Sequence, residues 1–350
     1  MAKKKLGVVF GGMSTENEVS VVSAESILNN LDREKYEVFP IYIDKQGNWW
    51  KYIENGQKRE FGAEVKNKEK IENLIEYLKS LDVIFPVLHG LYGEDGTIQG
   101  LFELLKIPYV GCKVLASSVG MDKVYTKIVF EKAGLNQTPY EYVRKYNDKY
   151  IYVDRNFNES VITVEEAAEK IVKNLKFPMF VKPSNSGSSV GVKKADNLEE
   201  LVEDIEYAAS FDKKVLIEQG VNGKEVECAV LGNEDVITSC VGEIKAADEF
   251  YSYDAKYKNE ESRTEIPANI SEELSNEIRE QAIKAFKSID GKGLSRVDFF
   301  IENGTNKIYI NEINTLPGFT SISMYPKMFE ASGLPYKELL TKLTELALEE

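Results

Sequence analysis

The chain has one histidine, His89, in 350 residues, and its three cysteines, Cys112, Cys228 and Cys240, stand far apart with no Cys-x-x-Cys pair. That scarcity argues against a zinc site and a disulfide framework, and fits a reduced cytoplasmic setting. Any metal would have to be a hard cation held by oxygen. No apolar run approaches the roughly 20 residues of a membrane span. The basic start, MAKKKLG, is followed only by the short apolar run VVFGG, too little for a signal peptide. Positive charge is also in the minority: 44 Lys and Arg against 58 Asp and Glu give a formal net charge of −14. Such a surface repels nucleic acid and anionic membranes, so neither is expected as a partner, and an anionic substrate would need locally placed cations. There is no internal repeat and no low-complexity tract. What remains is a hydrophobic share of 43% and a charged share of 29%, a composition suited to two or three globular domains.

The first 120 residues alternate strand and helix signals: KLGVVF, the helical EVSVVSAESILNNL, YEVFPIYI, DVIFPVL, the helical GTIQGLFELLK and IPYVG. Val21, Ala24, Leu28 and Leu31 share one helical face, and Thr15 with Glu18 reads as a capping box. This predicts an open, mainly parallel α/β sheet. The loops after Phe10 and Leu88 then leave the carboxyl ends of strands, where such sheets bind ligands, which would bring Glu16 near His89. Helices are expected in MDKVYTKIVFEKAGL and VEEAAEKIVKNL, and the polar stretch NDKYIYVDRNFNES reads as a surface loop.

Four stretches carry chemistry. VKPSNSGSSVGV is a Ser/Gly-rich loop able to present backbone N–H groups to phosphate, with Lys182 adding charge. It lacks the P-loop spacing and leads into a strand. In LSRVDFF and YINEIN the period of two puts Arg296 with Asp298 and Glu312 with Asn314. A hairpin centred near Thr305 sets Asp298 opposite Glu312 and Arg296 opposite Asn314, with Phe300, Ile308 and Ile310 expected on that face. Facing carboxylates destabilise a sheet unless offset, and Mg2+ would offset them. EIKAADEFYSYDAKYKNEESRTEIPANI is long, polar and aromatic, the pattern of a lid that excludes water. NTLPGFTSISMYP offers turn N–H groups and the hydroxyls of Ser321 and Ser323 to a carboxylate.

In order, GGMSTENEVS, HGLYGEDGTIQG, MDK, VKPSNSGSSVGV, DAKY, SRVDFF, NEINTLPGFTS and SMYP resemble the D-alanine–D-alanine ligases, ATP-grasp enzymes of peptidoglycan synthesis, from about Leu6 to the C-terminus. The resemblance implies an α/β chain: an N-terminal open parallel-sheet domain over 1–121, then a two-subdomain ATP-grasp fold over 122–220 and 221–350. It implies that ATP phosphorylates the carboxylate of one D-alanine, and that the amine of a second attacks the acylphosphate.

By the same resemblance Lys123, Lys182 and Ser189 would meet the phosphates, Glu218 and Val221 the adenine, and Glu225 the ribose. Asp298, Glu312 and Asn314 would hold two Mg2+ ions, or Mn2+ in their place. Glu16 would hold the first ammonium, linked to Ser188 and Tyr257. Arg296 and the Gly318 N–H would stabilise the oxyanion, and Lys256 would reach in from the lid. Ser323 and the Met324 backbone would anchor the second carboxylate. His89 matches a histidine near the substrate carboxylates, expected to position and charge the site rather than to carry an obligatory proton. A homodimer is implied too. Asn17 departs from the pattern, since many members have histidine there.

By the same resemblance, Tyr257 in DAKY goes with D-alanine as second substrate, with D-serine and D-lactate as alternatives. A non-catalytic ATP-binding module and another ATP-grasp ligase are further alternatives. A nicotinamide dehydrogenase is disfavoured because LGVVFGG carries no G-x-G-x-x-G fingerprint.

Overall fold

A computed structural model of the chain describes residues 2–54, 61–62, 64–245 and 263–349. Strands β1 (Lys4–Gly11), β2 (Tyr36–Ile43), β3 (Trp49–Tyr52), β4 (Lys68–Lys70) and β5 (Val83–Val87) form a sheet ordered β4-β3-β2-β1-β5. The central three are parallel, as the alternating pattern requires, and β3 and β4 extend the sheet antiparallel. Helix α1 (Asn17–Asn30) buries Val21, Ala24, Leu28 and Leu31, its expected face. Its start differs from the reading: Glu16 is the N-cap residue with no side-chain cap, and Ser14 Oγ, not Thr15, accepts the Glu16 N–H at 3.2 Å. Helices α2 (Leu74–Lys79) and α3 (Thr97–Leu105) cover the other face.

After α4 (Val114–Met121) and α5 (Lys123–Lys132) comes a second, antiparallel sheet of six strands. It comprises β6 (Tyr140–Tyr146), β7 (Lys149–Val153), β8 (Glu159–Ile162), β9 (Met179–Pro183), β10 (Lys193–Ala195) and β11 (Lys214–Gln219), ordered β10-β9-β11-β6-β7-β8. Helices α6 (Val164–Ile171) and α7 (Leu198–Ala208) cover one face around their own core. The stretch taken for a surface loop is therefore two strands. Tyr150 and Tyr152 alternate inward and are buried, and Asp154 Oδ1 closes the β7–β8 turn by accepting the N–H groups of Asn156 and Asn158. The alternation spans only the five residues of β7, Lys149–Val153, between polar turn formers, and that brevity hid it.

The third sheet holds β12 (Gly223–Leu231), β13 (Ile237–Lys245), β14 (Arg263–Glu265), β15 (Leu294–Glu302) and β16 (Ile308–Asn314), all antiparallel in the order β14-β13-β12-β15-β16. Helix α8 (Glu272–Ser288) packs on one face, while α9 (Met324–Ala331) and α10 (Tyr336–Ala347) pack between this sheet and the N-terminal one. Leu339, Leu340 and Leu343 share a core with Leu6, Val8 and Phe85, so the chain's two ends form one packed body. Each such side chain contributes about 1.5–3 kcal/mol on burial.

Candidate active site

Three loops meet at Glu16. β1 is parallel to β5, so the loops that follow both strands emerge at the same sheet edge. They are tied there: Ser14 Oγ donates to the His89 carbonyl at 2.6 Å, across 75 positions. The third loop follows β9, and Ser188 Oγ in it donates to Glu16 Oε1. Glycines make room for this carboxylate. A Cβ on Gly90, where φ is +73°, would lie 2.4 Å from Glu16 Oε2, and one on Gly187 would lie 2.6 Å from it. Ser188 and Ser189 both have positive φ, 50° and 58°. Two consecutive non-glycine residues in that region are costly and tend to mark loops held in shape for a ligand.

His89 is buried, its Nε2 lies 3.0 Å from Ser23 Oγ on α1, and Ser23 Oγ also accepts the Phe319 N–H at 3.2 Å. Burial pushes the ring's pKa down to about 4, against a partly opposing hydrogen bond to the Leu316 backbone. At neutral pH the ring is therefore uncharged, and it fastens α1 to the Leu316–Phe319 turn.

The β15–β16 hairpin has the expected register, Asp298 opposite Glu312 and Arg296 opposite Asn314. One feature differs. Phe299 pairs with Ile310, which leaves Asn311 as a bulge and flips the rest of β16. Ile308 and Ile310 thus join Val297, Phe299 and Ile301 in the core, on the opposite face from Glu312. On β12, Glu227 pairs with Asp298, so three carboxylates run across adjacent strands. Arg296 answers them, donating from Nε and Nη2 to the two Asp298 oxygens at 2.7 and 2.6 Å, with Glu227 Oε2 3.1 Å from Nε. Burial alone would lower the guanidinium's pKa, but Asp298 and Glu227 raise it well above its ordinary value. Asn314 Nδ2 adds a hydrogen bond to Asp298 Oδ2 at 3.0 Å.

A third cluster lies between the second and third sheets. Glu218 on β11 sits 2.6 Å from both Lys127 and Lys182, and accepts from Thr138 Oγ1 at 2.9 Å. Burial would raise the carboxyl's pKa, yet the two lysines hold it well below the usual carboxylate range. Lys123 donates to the Ser186 carbonyl at 2.6 Å, tying α5 to the Ser/Gly-rich loop. Glu312 acts electrostatically on Lys127, Lys182 and Arg296, so it faces both clusters. Glu225 lies on β12 two residues before Glu227, and Val221 in the preceding connection.

At the far side of the cleft Ser323 precedes α9 and accepts the Thr320 N–H at 2.9 Å. Met324 opens that helix, and a Cβ on Gly318 would stand 2.9 Å from Ser323 Oγ. Lys256, Tyr257 and the proposed lid fall outside the described residues, apart from the lid's flanks on the paired strands β13 and β14.

The structure thus gathers Glu16, His89 and Ser188 at one end, Arg296, Asp298, Glu312 and Asn314 in the middle, and Lys182 with Glu218 beyond. Sequence reading missed Ser23, Glu94, Lys127, Thr138 and Glu227. Two carried a signal: Lys127 is one helical turn from Lys123, and Glu227 shares a strand face with Glu225. Such an arrangement can receive an ammonium at Glu16, stabilise negative charge beside Arg296 and accept anions near Lys123 and Lys182.

Residues 5–112 match the family model described as D-ala D-ala ligase N-terminus, and residues 129–345 that described as D-ala D-ala ligase C-terminus. A D-alanine–D-alanine ligase of Acetivibrio thermocellus is 50% identical, covering 99% of this chain and 96% of its own. That of Clostridium novyi is 48% identical over 99% and 98%. Among solved structures, the VanG D-Ala:D-Ser ligase of Enterococcus faecalis is similar with a TM-score of 0.85 and 36% identity, covering 99% of this chain and 100% of the other. The D-alanine–D-alanine ligase of Coxiella burnetii gives 0.82 and 34%, over 100% and 95%.

Proposed function

We propose, for a chain that belongs to the D-alanine–D-alanine ligase family, that the loops meeting at Glu16 seat the first D-alanine and that Arg296 faces its reacting carboxyl. The reaction is the ATP-dependent joining of two D-alanines, an ADP-forming ligation that serves peptidoglycan synthesis. The arrangement of Glu16 between Gly90, Gly187 and Ser188 supports this reading most: a buried carboxylate with room made around it suits a small ammonium.

Glu16 then pairs with the first ammonium while Ser188 fixes its carboxylate, with Tyr257 completing the link. The substrate carboxylate oxygen attacks the γ-phosphorus of ATP, and ADP leaves. Lys123, Lys182 and Ser189 neutralise the phosphates, while Glu218, Val221 and Glu225 hold the nucleoside. The amine of the second D-alanine attacks the acylphosphate carbonyl, and Arg296 with the Gly318 N–H stabilises the oxyanion before phosphate departs. Lys256 assists from the lid. Ser323 and the Met324 N–H hold the second carboxylate. His89 keeps the Leu316–Phe319 turn against α1, and so sets Gly318.

Asp298, Glu312 and Asn314 offer hard oxygen donors on one strand face, a set that fits Mg2+. Two Mg2+ ions, or Mn2+, would neutralise phosphate charge there. The three domains run over 1–121, 122–220 and 221–350. A cytoplasmic homodimer is the proposed form; none of the described helices is long and apolar enough to cross a membrane.

D-serine as acceptor is a second reading, favoured by the likeness to VanG. Enzyme given ATP, D-alanine and excess D-serine or D-lactate, with products resolved by mass, decides it: D-alanyl-D-alanine is expected to dominate near neutral pH, and a dominant mixed product would overturn that choice.

A further inference from the structure

Glu94 has no part in the scheme above, yet it lies beside the first subsite. It belongs to the loop after β5 and keeps only 16% of its side chain exposed. Its Oε1 accepts the Gly90 N–H at 2.9 Å and stands 3.8 Å from His89 Nδ1. The residue between the two acids is that same Gly90, whose Cα face lies against Glu16 Oε2. One glycine therefore separates two carboxyl groups in a closed space. The charged groups acting on Glu94 are Glu16 from the loop after β1, Arg296 from β15 and Lys123 from α5, with neutral His89 alongside. The two cations are already engaged, Arg296 by Asp298 and Glu227 and Lys123 by the Ser186 carbonyl.

We propose that Glu94 holds a proton beside Glu16 while the first subsite is empty, and that the incoming D-alanine ammonium expels it, so that Glu94 is a positioning residue for the charge of the first substrate. This rests on the reading that Glu16 receives that ammonium. Two carboxyl groups packed on either side of one glycine do not both ionise easily, and their titrations are coupled. Burial, then the charge on Glu16, raises the Glu94 pKa to about 8. With Glu94 neutral at pH 7, the repulsion between it and Glu16 is relieved. A cation placed against Glu16 restores charge balance and lets Glu94 ionise. The proton goes to solvent, and the bound ammonium faces two negative carboxylates.

The sign of the linkage follows. Below the titration of the pair, binding releases up to one proton. The KM for the first D-alanine should therefore fall by up to about tenfold per pH unit as pH rises, levelling off above about 8. His89, held down at about 4, does not titrate in this window.

The test combines calorimetry with kinetics. D-alanine is titrated into the full chain with magnesium and a non-hydrolysable ATP analogue, at pH 7, in buffers of differing ionisation heat. Close to one proton released per first D-alanine is expected, fading above pH 8. In steady state, wild type should show about a tenfold fall in first-substrate KM between pH 6.5 and 7.5, and E94Q a profile flat within about twofold. No proton release from wild type, or a slope that survives in E94Q, would overturn the proposal. E16Q separates the layers. If E16Q abolishes first-site affinity while wild type releases no proton, the proton-release inference alone fails. If E16Q binds D-alanine as well as wild type, the reading of the subsite fails first.

Discussion

Ser188 donates a hydrogen bond to Glu16 from 172 positions away, joining the loop after β9 in the second sheet to the loop after β1 in the first. Among the described residues no strand pairing joins those two sheets, so this contact between side chains is a structural link between them. The same loop also contacts Lys123 through the Ser186 carbonyl.

Ser188→Ala should weaken binding of the first D-alanine. A hydrogen bond to a charged group contributes about 1.5–3 kcal/mol, which corresponds to roughly a 10- to 100-fold rise in first-substrate KM. The KM for ATP should stay within about twofold. Initial rates over both substrates check this.

Gly187→Ala should act on the same carboxylate from the other side. Its new Cβ would meet Glu16 Oε2 at 2.6 Å, so the carboxylate must move. Overpacking of this kind costs about 1–3 kcal/mol. The expected signature is a raised first-substrate KM with a melting temperature lowered by a few degrees, read by kinetics beside a thermal melt.

Arg296→Lys should lower kcat by about 100-fold or more, because a lysine cannot reproduce the forked donation to Asp298 while facing an oxyanion. Stability should also fall, since Glu227 and Asp298 are left incompletely matched in a buried setting. Single-turnover rates and a denaturant titration separate the two effects.

Glu218 governs the acid side of stability. Its depressed pKa means that its contribution is present above the ordinary carboxylate range and is lost as pH falls through and below that range. Lys127→Met removes one of the two cations and should destabilise by about 3–5 kcal/mol at neutral pH, while the acid unfolding midpoint moves to higher pH. Denaturant melts at a series of pH values measure both.

The parts legible in sequence are those in which local periodicity and function agree. The register of Asp298 with Glu312 follows from a period of two and an approximate hairpin centre, and the meeting of Glu16 with the His89 loop follows from the parallel strands β1 and β5. Less legible were features set by tertiary context. Nothing local marks Asn311 as a bulge, yet it decides that Ile308 and Ile310 turn into the core. The strands β7 and β8 were hidden because each is only four or five residues long and polar turn formers lie between and before them. Glu94 carried no pattern of its own, since its significance comes from Gly90 and Glu16 being folded against it. The neutral state of His89 is likewise a consequence of burial, which outweighs the opposing hydrogen bond to the Leu316 backbone, not of its sequence neighbours.

The most direct measurement is phosphate release from ATP and Mg2+ on adding D-alanine, with L-alanine as control, in wild type and in Glu312→Ala. The account predicts release that is D-specific in wild type and severely reduced in the variant, because Glu312 faces both the lysines and Arg296 where the charge of the nucleotide must be matched. Turnover in Glu312→Ala equal to wild type, or phosphate released as readily with L-alanine, would contradict it.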